Sequence, residues 1–405
     1  MVDLLAQLVA YRSVGDAETE AQARVAAEMR SLGLCVDEWD IDVDALSSDP
    51  DFSAEVERHV AAGVVGTWEG PEHTLMLNGH IDVVPVGDEA RWATPPWVAT
   101  EVDGAIYGRG TADMKGGLVC ALGSIRALRQ AGVAPAVGLV VASVVAEEDG
   151  GAGTLATLLR GHSADAAIIL EPTAGAVAPS QAGALGFRIT VPGKPAHGAS
   201  RTEGVSAIEK YAVVHNALLA LETSRNTRFS DPLYADHPLP LAISVGTLRA
   251  GEWSSTVPDI AVAEGRYGVA PGELVGAARS EFSAWIAAAA ATDPWLAENP
   301  PEIEWWGGQF HPATTDPNHS LVTKLAGCAR AVTGRATDVC GVPYGSDLRH
   351  LVNRGAIPTV LYGPGDPRIA HRANEYVPIS DLIEVAQTIT LAALRFGTLE
   401  LRRNA

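Results

Sequence analysis

The sequence predicts an α/β protein with a mixed, mostly parallel sheet flanked by helices, into which a smaller α+β domain is inserted. Two observations lead to this prediction. The 405 residues exceed what one hydrophobic core usually serves, so two folding units are expected. Short apolar runs alternate with helical stretches in the first part of the chain, and this order is typical of a parallel sheet covered by helices.

The apolar runs of the first part predict buried strands. They are TLMLNGHI at 74–81, VGLVVASVVAEE at 137–148 and AAIILEP at 166–172. Between the first two lies GGLVCALGSIRALRQAG, which has the apolar spacing of a helix. From about Thr314 the alternation resumes, and IPTVLYGPG is a further apolar run that ends in turn residues. We expect this last segment to rejoin the first sheet.

The pattern changes after Gly183. An antiparallel-type strand, FRITVPG, is followed by a helical stretch, two strand-like runs and a second helix. This order predicts a separate domain of the ferredoxin-like kind, with a β-α-β-β-α-β series. The predicted boundaries are 184–311 for the inserted domain, and 1–183 with 312–405 for the first domain.

Composition and charge narrow the classes of function. The chain has 47% hydrophobic and 19% charged residues, which is typical of a folded globular protein. Its formal charge of −20 repels phosphate backbones and anionic lipid, so nucleic acid and membranes are not expected as partners. The four cysteines form no C-x-x-C pair, and neither a targeting signal nor a membrane-spanning apolar run is visible. These features predict a cytoplasmic protein.

Imidazoles and carboxylates follow the ends of the apolar runs, where an open α/β sheet has its binding crevice. They are His80, Asp82, Asp113, Glu147, Glu148, Glu171 and His371. Zinc accepts imidazole nitrogen and carboxylate oxygen, and one carboxylate can bridge two ions, so the set predicts a pair of divalent metal ions. Each residue also has an ordinary alternative. His80 could be a structural histidine, Asp113 a helix cap, and the adjacent glutamates a solvated strand end.

Four motifs contain these residues: GHIDVVP, GRGTADMKGG, the EE pair and AHRANEYV. Together they resemble the dizinc amidohydrolase and metallopeptidase family that includes acetylornithine deacetylase, succinyl-diaminopimelate desuccinylase, aminoacylase-1 and glutamate carboxypeptidase. The resemblance covers essentially the full chain. It implies a hydrolase of linear amide bonds with two Zn²⁺, for which Co²⁺ or Mn²⁺ can substitute. It also implies that 184–311 is a lid domain through which a homodimer forms.

The resemblance assigns five residues as metal ligands. Asp113 is expected to bridge both zinc ions. His80 and Glu171 are expected to complete the first site, and Glu148 and His371 the second.

Three further residues are implied in catalysis. Asp82 is expected to orient the imidazole two residues before it. Glu147 is expected to be the general base that takes a proton from metal-activated water. His197, in VPGKPAHGAS, resembles the lid-domain histidine that stabilises the oxyanion, from the partner subunit in dimeric members. Its ordinary alternative is a surface histidine in a turn.

Substrate contacts are implied at three more positions. Arg266, in EGRYGVAPGE, resembles the lid arginine that grips a substrate carboxylate, although a strand residue on a solvated face is the alternative. Ser255 stands near the place of a family asparagine, so the substrate is expected to be held differently there. Ser346, in VPYGSDLRHL, resembles a segment near the active site and is a candidate contact.

The nature of Glu171 favours one substrate class. In the family, Glu at this place accompanies deacylases and carboxypeptidases, whereas Asp accompanies aminopeptidases. The expected function is therefore hydrolysis of an amide bond in an N-acyl amino acid or a related compound. A dipeptidase or carboxypeptidase of the same family, and a non-catalytic member that binds a ligand, stay open as alternatives.

Overall fold

The computed structural model describes residues 1–396, which form two compact units. The first comprises Met1–Ser180, Thr314–Gly341 and the described residues from Ser346 onward. The second comprises Gln181–Ala313 and the short segment Val342–Gly345. The end of the predicted first domain, 397–405, lies outside the described residues. The assignment of the units as catalytic domain and lid stays a prediction.

The first unit begins with helices and strands that build most of a large sheet. In chain order these are α1 (Val2–Ala10), α2 (Thr19–Ser31), β1 (Cys35–Asp40), α3 (Val43–Leu46), β2 (Ala62–Trp68), β3 (Thr74–His80), β4 (Thr100–Val102), β5 (Ala105–Tyr107), α4 (Lys115–Ala131), β6 (Gly138–Val144), α5 (Ala152–Leu159), β7 (Ala166–Ile169) and β8 (Val177–Gln181).

The second unit contains the next group of elements. They are β9 (Gly183–Pro192), β10 (Ala196–His197), α6 (Ala207–Arg228), β11 (Ile243–Ala250), β12 (Thr256–Val257), β13 (Ile260–Val269), α7 (Val275–Ala290), α8 (Pro294–Glu298) and β14 (Glu302–Phe310).

The chain then returns to the first unit. The last elements are β15 (Ala313–Thr314), α9 (Ser320–Thr333), β16 (Val339–Val342), β17 (Thr359–Leu361), β18 (Tyr376–Pro378) and α10 (Ile379–Arg395). Helix α9 ends at Gly334, which has a φ of +70° and closes the helix in the left-handed conformation. The return point is close to the point of departure, because Ser180 Oγ and Thr314 Oγ1 lie 2.8 Å apart.

Nine of the described strands form the main sheet, which confirms the predicted fold class. Its order is β1-β2-β6-β3-β7-β17-β8-β15, with β16 paired to β8. Strand β3 runs parallel to both β6 and β7, and β17 runs parallel to β7, whereas β1, β2 and β8 pair antiparallel. Every residue of β6 and β7 is buried, as expected for parallel strands covered on both faces. Helices α4, α9 and α10 pack together beside this sheet.

The sheet of the second unit has the order β11-β13-β9-β14, and each pair of neighbouring strands is antiparallel. This is the strand arrangement of a ferredoxin-like β-α-β-β-α-β fold. Strand β9 alternates strictly between buried and partly buried residues, so one face is apolar. On that face the Phe187 and Phe282 rings lie 4.9 Å apart, as do those of Tyr267 and Phe282, and α7 thus packs on the sheet.

No helix within residues 1–396 combines the length and the apolar character needed to cross a membrane.

Candidate metal centre

The carboxyl ends of three neighbouring parallel strands lie at one edge of the main sheet. Strand β3 ends at His80, which pairs with Val144 at the end of β6. Strand β7 ends at Ile169, and Glu171 follows it by two residues. The side chains of His80 and Glu171 are both buried. The side chains that follow these strands therefore lie close together at this edge of the sheet.

The two adjacent glutamates lie in a turn, and not at the end of an extended run as the sequence suggested. Strand β6 ends at Val144, and Ala146 then adopts a φ of +60°. The amide of Gly150 donates to the carbonyl of Glu147 at 3.1 Å, which closes the turn. A turn, and not a strand, therefore carries the Glu147 and Glu148 carboxylates.

Asp113 lies between two imidazoles. Its Oδ1 is 3.1 Å from His80 Nε2, and its Oδ2 is 3.3 Å from His371 Nε2. His371 Nε2 also lies 2.9 Å from Glu148 Oε2, and His80 Nε2 lies 3.8 Å from Glu171 Oε1. All five predicted ligands are thus brought together in the first unit.

Two groups within this cluster are tight enough to hold a cation. One ligand atom from each of His80, Glu147 and Glu171 lies within 4.8 Å of the others. The same holds for His80, Asp113 and Glu148. Glu147 is therefore inside the cluster, close to the residues predicted to bind metal.

Asp82 contacts both His80 and the glutamate turn. The nearer acceptor for His80 Nδ1 is the main-chain oxygen of Asp82, at 2.9 Å, while its carboxylate Oδ1 is 3.6 Å away. Asp82 Oδ2 accepts a hydrogen bond from the amide of Glu148 at 3.0 Å. The residue therefore orients the imidazole through its backbone and fixes the turn through its side chain.

The cluster concentrates negative charge away from water. Burial, and then the charge of neighbouring carboxylates, raises the pKa of Glu147, Glu148 and Glu171. Burial alone would lower the pKa of His80, but Asp82 and Asp113 raise it well above its usual value. Imidazoles and carboxylates arranged in this way are the ligands that a divalent ion needs.

A buried oxygen without a partner also fits a cation. Among residues 1–396, Oε1 of the predicted ligand Glu148 is buried and accepts no hydrogen bond. An unpaired buried carboxylate oxygen is costly, and a metal ion would satisfy it. The residues present therefore fit the divalent metal that the sequence predicts.

Sequence reasoning missed several buried groups that surround the cluster. Glu375 accepts hydrogen bonds from the amides of Ala112 and Asp113, and it pairs with Arg109 at 2.6 Å. The sequence did offer one indication of these two residues. Arg109 lies in GRGTADMKGG and Glu375 in AHRANEYV, and both motifs had already been singled out.

A second missed group holds Asp347. Thr154 Oγ1 donates to Asp347 Oδ2 at 2.6 Å, and Asn78 Nδ2 donates to Thr154 Oγ1 at 3.0 Å. The neighbouring Ser346 is buried, and its Oγ accepts the amide of Leu348 at 3.2 Å.

The remaining predicted site residues belong to the second unit. His197 is exposed and pairs with Thr256 in the β10–β12 ladder, while the carbonyl of Ser255 accepts the amide of Gly198 at 2.7 Å. Ser255 therefore lies beside His197. Arg266, on β13, is partly buried, and its Nη2 donates to the carbonyl of Pro343 at 2.9 Å. Within the described part of the chain, its Nε has no partner.

Comparison with known proteins assigns the chain to a family. Residues 76–395 match the family described as peptidase family M20/M25/M40. The chain belongs to this family. The match confirms the resemblance found in the sequence, and this M20 protein is a metal-dependent hydrolase of the amidohydrolase and peptidase type.

Two relatives are similar over almost their full length. N-formyl-4-amino-5-aminomethyl-2-methylpyrimidine deformylase from Bacillus subtilis (strain 168) is 29% identical over 96% of this chain and 92% of its own. The enzyme of the same name from Halalkalibacterium halodurans is 30% identical, with the same coverage of 96% and 92%. Among solved structures, a di-peptidase from Saccharomyces cerevisiae matches 98% of this chain and 96% of its own, with a TM-score of 0.77 and 15% identity. That likeness shows the fold.

Proposed function

We propose that this M20 protein is a deacylase that hydrolyses the amide bond of a small N-acyl compound, such as an N-formyl amide or an N-acyl amino acid. The observation that carries the proposal is the buried Glu147, whose carboxylate lies within 4.8 Å of the ligand atoms of His80 and Glu171. A carboxylate placed among the metal ligands is suited to general base catalysis. The two relatives that cover 96% of the chain are both named deformylases, which supports a formyl group as the first acyl group to test.

Five residues are proposed to hold the metal. His80, Asp113 and Glu171 would bind one ion, and Asp113, Glu148 and His371 would bind a second, in agreement with the contacts of Asp113 to both imidazoles. Bound Zn²⁺, or Co²⁺ or Mn²⁺ in its place, would acidify a water molecule and polarise the amide carbonyl.

Glu147 is proposed to move the proton. Its carboxylate takes a proton from the attacking water, and it later gives that proton to the leaving nitrogen as the C–N bond breaks. Burial and the nearby Glu171 raise the pKa of Glu147 in the metal-free fold, and a bound cation would favour the carboxylate form that accepts the proton. The products are a carboxylic acid and a free amine.

The second unit is proposed to contribute substrate contacts and a homodimer interface. His197 would donate to the oxygen of the tetrahedral intermediate, and it is exposed and so accessible. Arg266 would bind a carboxylate of the substrate, as the resemblance implies, with the part of its guanidinium that does not donate to Pro343. Ser255 lies beside His197, whereas the hydroxyl of Ser346 already accepts a backbone amide.

Hydrolysis of a defined panel tests the proposal. The zinc-loaded protein is assayed with N-formyl and N-acetyl amino acids, an N-formylated aromatic methylamine and several dipeptides. We expect an N-acyl compound to be cleaved with the highest kcat/KM. We expect Glu147→Gln to lower kcat by about 10²–10⁴-fold, since that is the usual contribution of a general base.

Metal content is measured in parallel as the control for the Glu147→Gln variant, which should bind as much zinc as the wild type. Faster cleavage of dipeptides would favour a dipeptidase instead. Full activity in a zinc-loaded Glu147→Gln variant would exclude the proposed base.

A further inference from the structure

A buried carboxylate outside the proposed ligand set holds the backbone that presents Asp113. Glu375 is 1% exposed. Its Oε1 accepts the amides of both Ala112 and Asp113, at 2.9 and 3.1 Å. The residue lies four positions after His371, so it belongs to the same C-terminal segment as that proposed ligand.

A buried guanidinium completes the link between the two segments. Arg109 is 2% exposed, and its Nη1 lies 2.6 Å from Glu375 Oε2. The same Nη1 donates to the carbonyl of Arg372 at 3.3 Å, directly after His371. Its Nη2 donates to the carbonyl of Pro85 at 3.3 Å, and the guanidinium stands 5.1 Å from the centre of the Trp92 ring.

The same ion pair therefore contacts the backbone on both sides of one proposed metal position. Asp113 Oδ2 and His371 Nε2 lie 3.3 Å apart, but they come from segments far apart in the sequence. Glu375 fixes the first segment through two amides, and Arg109 fixes the second through the carbonyl of Arg372. The same two segments are also joined through the backbone, since the amide of Gly108 donates to the carbonyl of Glu375 at 3.0 Å.

From this geometry we infer that Glu375 and Arg109 are positioning residues, which set the separation of Asp113 and His371 and thereby the affinity for metal. The inference rests on the proposed metal site but not on the proposed deacylase activity. Groups that orient metal ligands without touching the ion commonly change metal affinity by about 10–100-fold. A buried ion pair is also weak evidence for a purely stabilising role, because desolvation offsets most of its attraction.

The competing explanation is that the pair only stabilises the fold. The second unit offers a control pair, in which the Arg225 side chain is 3% exposed and its partner Glu273, at 2.5 Å, is 23% exposed. None of the proposed metal ligands lies near Glu273 in the sequence or belongs to its unit. Neutralising Glu273 should affect stability without affecting metal binding.

Titration of the metal-free full-length protein with Co²⁺ tests the inference. Binding is followed by the visible absorption of the bound ion, in the wild type and in Glu375→Gln, Arg109→Lys and Glu273→Gln. We expect Glu375→Gln and Arg109→Lys to weaken the binding of at least one Co²⁺ equivalent by tenfold or more and to alter its absorption band. We expect Glu273→Gln to bind Co²⁺ as the wild type does.

Thermal unfolding of the metal-free variants separates positioning from stability. Arg109→Lys keeps the buried positive charge. If Glu375→Gln does not fold, the Co²⁺ affinity of Arg109→Lys therefore tests the inference. Binding curves that agree with the wild type within twofold would overturn the inference, even if the unfolding temperature falls. An equal loss of affinity in Glu273→Gln would overturn it as well. Since no substrate is present, failure of the deacylase proposal would not change either result.

Discussion

Gly151 directly follows the turn that carries Glu147 and Glu148, and its surroundings leave no room for a side chain. Its φ is +73°, a conformation that disfavours residues with a Cβ. A Cβ built there would lie 2.4 Å from Asp347 Oδ1 and 2.8 Å from His350 Nε2. The chain beside the proposed base therefore requires a glycine, because a side chain there would clash with a buried carboxylate.

We expect Gly151→Ala to lower both stability and activity. Gly334→Ala is a matched control, because Gly334 has a φ of +70° but no atom within 4 Å of the added methyl group. The control should cost about 1–2 kcal/mol, the usual penalty for a left-handed residue with a Cβ. Gly151→Ala should cost at least about 1 kcal/mol more through overpacking, and its kcat should fall. Urea unfolding and steady-state kinetics measure the two effects, and equal losses in both variants would contradict the steric argument.

At the scale of elements, Arg225 connects α6 to the sheet and to α7. Its Nη2 donates to the carbonyl of Gly268 at 3.2 Å and pairs with Glu273, while its Nη1 pairs with Glu281 on α7 at 2.5 Å. The guanidinium also stands 4.7 Å from the centre of the Tyr267 ring. One buried side chain thus connects three parts of the second unit.

We expect Arg225→Met to destabilise the protein by about 2–3 kcal/mol. Removal of one partner from a buried pair typically costs 3–5 kcal/mol, but Glu273 and Glu281 are each 23% exposed and regain some water. Arg228 also pairs with Glu281, yet its side chain is 60% exposed, so Arg228→Met should cost less than about 1 kcal/mol. Chemical denaturation of both variants checks the difference. Similar losses of unfolding free energy in the two variants would show that burial of the arginine does not determine how much its removal destabilises the protein.

The strands that the sequence predicted well are those with a strong apolar signal. β3 spans Thr74–His80, against a predicted run of 74–81, because buried parallel strands read as continuous apolar segments. Strand β9 was recognisable from a different pattern. Only one of its faces is apolar, so apolar residues alternate with others along the strand. The end of β6 was not predictable, because VVAEE contains no residue that usually breaks a strand.

The part of the site that involves Glu375 could not be predicted for a different reason. Its position depends on β18, a strand of three residues that pairs with β5 so that Tyr376 lies opposite Tyr107. Three residues are too few to show a period, and nothing in the local sequence specifies a partner more than 260 residues away. The ligand candidates were visible as residue types after strands, whereas the groups that position them depend on tertiary pairing.

On the scale of the whole molecule, the formal charge of −20 includes several carboxylates that are buried in the site. The raised pKa values of Glu147, Glu148 and Glu171 favour their protonated forms in the metal-free fold. Their contribution to stability is therefore present below the usual carboxyl value of 4.5 and is lost as the pH rises through the raised values. A bound cation would relieve this repulsion.

Chelation should accordingly lower the Tm, and the difference between loaded and metal-free protein should widen as the pH rises from about 5.5 to about 8. Loss of protons from the site favours metal binding and destabilises the metal-free state, so both effects act in the same direction. Calorimetry at constant ionic strength, with and without chelator, measures the difference. A Tm difference between loaded and metal-free protein that stays constant or narrows as the pH rises would contradict the proposed metal site.

The hydrogen bond between Ser180 and Thr314 has a consequence for how such a molecule arises. The residues at which the chain leaves and re-enters the main sheet are neighbours, so the whole of Gln181–Ala313 occupies a place that a tight turn could fill. A folded segment with adjacent ends can be gained by a gene in a single event without stretching its host, as is known for domain insertions.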